Sequence, residues 1–102
     1  MAKHLVGKID ELDVDTMRKL VVDGEEICLA HAEDGGFYAI GDVCTHEEYS
    51  LSDGELWALE VECPAHGSRF NLRTGQVTGL PAVIPARKYP VSVEGDDVYI
   101  EV

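Results

Sequence analysis

Two short stretches gather residue types that bind metals. In "VCTHEEYS" (43–50), Cys44 and His46 are separated by one residue; in "ECPAHGSRFN" (62–71), Cys63 and His66 are separated by two. The chain has only three cysteines and four histidines in 102 residues. Two tight Cys–His pairs are therefore a poor fit to incidental core packing, the usual fate of a free cysteine. Thiolates and imidazoles together suit zinc, copper or iron–sulfur chemistry. Zinc fingers, however, usually pair like with like, two cysteines on one arm and two histidines on the other. Here each segment carries one of each. Such a pair can reach a single metal, but it suits two adjacent metals better, one loop giving sulfur to the first and nitrogen to the second.

The remaining cysteine and histidines read differently. Cys28, in "EEICLAHA", sits between Ile27 and Leu29 in an extended run and belongs to the core. His4 and His31 read as surface side chains. Trp57, between the two pairs, reads as a packing anchor.

The elements that must hold these residues are strands. Ten glycines recur at short intervals between runs rich in Val, Ile, Leu and Tyr, the pattern of an all-β domain. Strands are expected over 17–22, 26–32 and 37–40, joined by "DGE" and "EDGG" turns. "YPVSV" and "VYIEV" alternate around "EGDD" and predict a closing hairpin. Only "KIDELDVDTM" has room for a helical turn. Residues 42–85 lack long alternation and hold three of the four prolines, Pro64, Pro81 and Pro85. They read as an insertion of loops and short strands on a β scaffold formed by about 1–41 and 86–102, one domain in all.

Charge narrows the function. The net charge of −12 disfavours nucleic acid and anionic membranes, which reward clustered Lys and Arg, and favours a basic protein partner. From Asp42 to Glu62 there are seven acids and no Lys or Arg, so Glu47 and Glu48 stand beside whatever His46 binds. No apolar run approaches the ~20 residues that span a bilayer, and the N-terminus turns acidic too soon for a signal peptide. An odd cysteine count without an export signal argues against a disulfide framework, so a cytoplasmic location is expected.

The motifs CTH and CPAHGS resemble the Rieske [2Fe-2S] signature, Cys-x-His followed by Cys-x-x-His. "SRFNLRTGQVTGLPA" resembles that family's continuation, in which an "RTG" turn and a proline-containing loop close over the cluster. The resemblance implies an antiparallel β-sandwich with an inserted cluster-binding subdomain. It also implies one [2Fe-2S] cluster per chain, with Cys44 and Cys63 on one iron and His46 and His66 on the other. Replacing two anionic thiolates by neutral imidazoles raises the potential above that of an all-cysteine cluster; centres of this class span roughly −150 to +300 mV. High-potential relatives carry an extra cysteine in each loop and a Ser and Tyr after the second His. Tyr49, Ala65 and Phe70 stand at the first two and at the Tyr, only Ser68 remains, and acids flank His46. The expectation is a potential near the low end.

The sequence offers no evident site for NADH, flavin or oxygen activation. After His46 and His66, only His4 and His31 remain for a mononuclear iron, and there is no Gly-x-Gly-x-x-Gly fingerprint. The expected function is that of a soluble one-electron carrier, not an enzyme. By resemblance to the stand-alone ferredoxins of bacterial oxygenase systems, it takes electrons from a flavin-dependent reductase and gives them to a terminal oxygenase. Both partners would dock near the His46/His66 tip, with the "GLPAVIPA" loop as an apolar lip. The alternatives are a non-catalytic Rieske-like small subunit of an enzyme such as nitrite reductase, a structural zinc module, and a cluster-assembly or redox-sensing protein.

Overall fold

The computed structural model describes residues 2–102 as eleven strands in three antiparallel sheets. In chain order the strands are β1 Lys3–Lys8, β2 Thr16–Val22, β3 Glu25–His31, β4 Phe37–Gly41, β5 Glu55–Trp57, β6 Glu60–Glu62, β7 Arg69–Asn71, β8 Val77–Gly79, β9 Lys88–Tyr89, β10 Val91–Glu94 and β11 Asp97–Glu101. The helical content is two single 3-10 turns, Ile9–Glu11 and Leu51–Asp53. The first lies in the one stretch the sequence left open for a helical turn.

The basal part is two sheets. One has the order β1-β11-β10, the other β2-β3-β4-β9. The β2–β3 hairpin turns at Asp23-Gly24, both with positive φ (52° and 79°), a conformation that glycine adopts freely and Asp tolerates. β10 and β11 form the expected closing hairpin, and β1 pairs along the other edge of β11.

β3 is the central element, because it is buried on both faces. Ile27 and Leu29 point into one core with Leu12, Ala39, Tyr89 and Ile100. Cys28 and Ala30 point the other way, into a second core with Ile40, Leu51, Val61, Phe70 and Leu72. The period-two alternation of a strand thus divides one run, "ICLA", between two cores. The first joins the basal sheets. The second joins the base to the third sheet, β5-β6-β7-β8.

That third sheet is inserted. β4 and β9 are hydrogen-bonded neighbours, Ala39 opposite Tyr89 and Ile40 opposite Lys88, while everything between them in the chain leaves the base and returns. Its strands have three residues each, and its inner face is Leu56, Val61 and Phe70. No helix among the described residues is long and apolar enough to cross a membrane.

Three side chains differ from expectation. Trp57 is 55% exposed, so it anchors nothing; Leu51, Phe70 and Leu72, each 0% exposed, do that work. His31 is half-buried, stacked on Phe37 at 4.0 Å between ring centroids, with Nδ1 2.7 Å from the Leu12 carbonyl oxygen. His4 lies within β1, half-buried, its Nε2 3.5 Å from Asp23 Oδ2. Neither histidine is the free surface group expected, and His31 is fastened into the fold.

Candidate metal centre

Two loops at the same end of the molecule carry the two Cys–His pairs. The first leaves β4 and returns at the 3-10 turn Leu51–Asp53. Its neck is closed by pairing of Val43 with Ser50, by the Cys44 N–H donating to the Tyr49 carbonyl (2.9 Å), and by the Leu51 N–H donating to the Asp42 carbonyl (2.7 Å). The second loop is the β6–β7 turn. The Cys63 N–H donates to the Ser68 carbonyl (2.7 Å) and the Gly67 N–H to the Cys63 carbonyl (3.3 Å). Gly67 takes φ +78°, which a side chain would oppose, and that lets the chain reverse immediately after His66. Below the turn, Glu62 faces Arg69 across the strands and accepts from its Nε at 3.0 Å.

A third segment ties these loops together. Residues 80–86 hold the expected lip, with Leu80 77%, Val83 75% and Ile84 59% exposed, while Ala82 and Ala86 are buried. The Ala82 N–H donates to the buried Ser68 Oγ (3.0 Å). The Thr45 hydroxyl donates to the Ile84 carbonyl (2.6 Å). The Ala86 N–H donates to the Gly75 carbonyl (2.8 Å), and Gly75 has no room for a Cβ against the Ala86 backbone. The residue between Cys44 and His46 and the residue two beyond His66 thus both grip the lip.

The singled-out side chains come together here in like pairs, sulfur with sulfur and imidazole with imidazole. Cys44 and Cys63 are each 3% exposed and close enough for their thiols to interact; neither is in a disulfide. Burial above all raises the Cys63 thiol from its ordinary range. The Ala65 N–H, aimed at the sulfur, opposes that shift; Cys44 adds to it; the His66 N–H opposes it again. His46 and His66 lie outside the sulfurs, edge to face with centroids 5.7 Å apart, and both are exposed. Glu47 Oε1 lies between them, 3.7 Å from His46 Nε2 and 3.8 Å from His66 Nδ1.

The donor set is therefore layered, two soft sulfurs inside and two imidazoles at the rim. Burial keeps the Cys63 proton in place, and the backbone N–H groups aimed at its sulfur offset part of the charge that a metal-bound thiolate would carry there. Mixed sulfur and nitrogen donors from two loops fit a two-iron sulfur-bridged core better than the like-paired arms of a structural zinc site. Phe70, at 0% exposure, offers no hydroxyl. The Ser68 hydroxyl already accepts one hydrogen bond and keeps its own proton free to donate. Cys28 stays apart: it is 0% exposed in β3, 3.6 Å from Met17 Sδ, with burial pushing its thiol far upward.

Two positions went unseen in the sequence. Thr45 gave no signal beyond standing between two ligand types. Asp42 gave a misleading one, since an acid in an acidic run reads as solvated, whereas it is 0% exposed.

Comparison with known proteins places this geometry. Residues 2–90 match the Rieske [2Fe-2S] domain family. The ferredoxin component of the p-cumate 2,3-dioxygenase system of Pseudomonas putida is 37% identical over 94 residues, covering 91% of this chain and 79% of that protein. Among solved structures, the ferredoxin of carbazole 1,9a-dioxygenase from Nocardioides aromaticivorans IC177 superposes with a TM-score of 0.93 at 37% identity, covering 98% of this chain and 97% of that one. A chain from the complex of reduced oxygenase and oxidised ferredoxin in carbazole 1,9a-dioxygenase superposes at 0.90 with 32% identity, covering 96% of this chain and 100% of that one.

Proposed function

Because the chain belongs to the Rieske [2Fe-2S] domain family, we propose that Cys44 and Cys63 hold one iron of its cluster and His46 and His66 the other. The chain is a ferredoxin, an electron carrier rather than a catalytic subunit. When bound, the cluster supplies a one-electron couple. A basal scaffold, about 1–41 and 86–102, carries a cluster-binding insertion, about 42–85, and the protein works in the cytoplasm.

The chain's residues divide the remaining work. The buried cysteines keep their sulfurs from water and oxidants. The histidines present imidazole edges at the surface, within reach of another protein. The apolar lip of Leu80, Val83 and Ile84 lies next to them through Thr45, and supplies contact area that is otherwise costly to leave in water. Glu47 and Glu48 give this end negative charge, which speeds encounter with a basic surface.

The partners follow from the relatives. One matched ferredoxin is named as part of a p-cumate 2,3-dioxygenase system, and another was solved in complex with its oxygenase. This chain accordingly delivers electrons to a terminal oxygenase and receives them from a flavin-dependent reductase, both at the His46/His66 tip. The observation that carries this reading is the layered donor set, buried sulfurs under exposed imidazoles on two adjoining loops. The test is reconstitution. Anaerobically purified protein should contain iron and acid-labile sulfide in equal amounts, and should restore turnover to a reductase and oxygenase pair that is inactive without it. Zinc in place of iron and sulfide would refute the proposal.

A further inference from the structure

Asp42 is an acidic side chain held wholly inside the fold. It is 0% exposed, it forms no ion pair, and its Oδ2 has no hydrogen-bond partner among the described residues. A buried polar atom without a partner costs free energy, so what the rest of the residue holds in place calls for an account.

What Asp42 does is visible in its other three polar groups. Oδ1 accepts from the Ser52 N–H at 2.9 Å. Its carbonyl accepts from the Leu51 N–H at 2.7 Å, and its own N–H donates to the Glu26 carbonyl in β3 at 3.0 Å. Leu51 and Ser52 open the 3-10 turn Leu51–Asp53, whose first N–H groups have no partner inside the turn. Ser50, at the capping position, makes no side-chain bond to them. Asp42 supplies both missing acceptors from the far limb of the loop. One residue therefore joins the outgoing limb, the returning limb and the basal sheet, two positions before Cys44. Between these limbs lies the whole first loop, with Cys44 and His46 on it.

We propose that Asp42 is a positioning residue for the cluster: its carboxylate sets the span of the 44–50 loop and so where Cys44 and His46 stand relative to Cys63 and His66. This rests on those four residues being the ligands. The carboxylate acts as a directed acceptor, so the isosteric amide, which keeps one oxygen at the same place, should preserve the function. A methyl should not.

The experiment compares the loaded wild type with Asp42→Asn, Asp42→Ala and, as a control equally buried in the basal core, Ile100→Ala. The readouts are iron and sulfide per folded chain, the EPR line shape of the reduced protein, and the rate of cluster loss to an iron chelator. Asp42→Ala should lose its cluster roughly tenfold faster than wild type, the scale of one hydrogen bond to a charged group, with a changed EPR line shape. Asp42→Asn should restore both, and Ile100→Ala should unfold more easily with rate and spectrum unchanged. The proposal is overturned by an Asp42→Ala protein with wild-type rate and spectrum, by an asparagine variant no better than the alanine one, or by equal changes in Ile100→Ala. Should Asp42→Ala not fold, hydrogen exchange in the wild type decides: the Ser52 amide should be protected like the amides of β3, and exchange at the rate of a free loop overturns the clamp. A wild type without iron and sulfide sinks the ligand assignment and this proposal together; a loaded wild type with an indifferent Asp42→Ala sinks this proposal alone.

Discussion

The base and the inserted sheet use the same reactive residue types for opposite ends. In the base, Cys28 sits in the middle of β3, fully buried, its sulfur against Met17, its thiol held protonated by burial. His31 is stacked on Phe37 and fastened to the Leu12 carbonyl. In the inserted sheet, Cys44 and Cys63 stand at the ends of loops, sulfur next to sulfur, with backbone N–H groups aimed at Cys63. His46 and His66 face outward, edge to face, with Glu47 between them. A thiol or imidazole in a strand is absorbed by its neighbours. The same group on a loop held by other parts of the fold is left free to bind. Chemistry here comes from where the backbone leaves a side chain uncommitted.

The sharpest way to break that contrast is to exchange like residues between the regions. Cys63→Ser or His66→Ala should abolish the cluster, dropping iron and sulfide at least tenfold. Cys28→Ala should keep the full complement and an unchanged EPR signal while costing about 1–2 kcal/mol of stability from the cavity it leaves. Elemental analysis and EPR on the set are enough. Iron retained in Cys63→Ser, or lost in Cys28→Ala, would invert the assignment of roles.

His31→Ala tests the same contrast for imidazole. It removes a stack and a hydrogen bond, so a loss of about 1–3 kcal/mol in denaturant unfolding is expected, with the visible spectrum unmoved. A spectral change would mean that the base reaches the cluster more directly than its packing implies.

The lip and the acids refine the comparison at the surface. Val83→Ser with Ile84→Ser should weaken binding to the oxygenase roughly tenfold and leave unfolding within ~0.5 kcal/mol of wild type, as both side chains are exposed. Glu47→Gln with Glu48→Gln should slow association a few-fold at low salt, the difference vanishing as salt rises. Stopped-flow rates across ionic strength would show it; a difference that persists at high salt would place these residues in contact energetics instead of steering.

The smallest effect belongs to the base. Asp34 is held below the ordinary carboxyl range, chiefly by the Tyr38 hydroxyl (2.7 Å) and then by the Gly36 N–H (2.8 Å), with Arg73 adding to it. A carboxylate whose folded pKa is depressed stabilises the fold at pH above its unfolded value, and that contribution fades as pH falls through the folded one. Asp34→Asn should therefore be slightly less stable than wild type at neutral pH and no different at strongly acid pH, by urea titration. A gap that widens with acid would contradict the sign.

How much of this could be read in advance depended on how local its cause is. The four proposed ligands stand out in the sequence because two donors that reach one small cluster from a single loop must lie within a few residues, so spacing carries the information. The strands at 16–22, 25–31 and 37–41 were legible to within a residue, because runs rich in Val, Ile, Leu and Tyr are bounded there by glycine-containing turns. The four strands of the inserted sheet were not individually legible, since three residues cannot display a period. β1 was passed over because its register shifts between Leu5 and Gly7 and blurs its pattern. Size misleads at Trp57: it follows inward-facing Leu56 in β5, so strand alternation places its ring on the outer face, and a three-residue strand cannot show that in advance. Asp42 was illegible for a related reason. What holds it inside is a pair of N–H groups ten residues on, and nothing in an acidic run announces them.

The central claim is that each loop gives one sulfur and one nitrogen, with both sulfurs going to one iron and both nitrogens to the other. Pulsed EPR on the reduced protein, grown with 15N-histidine and compared with unlabelled material, tests it most directly. Two strongly coupled histidine nitrogens that change isotope with the label are the predicted result. A spectrum with no coupled histidine nitrogen, as an all-sulfur cluster would give, contradicts the account.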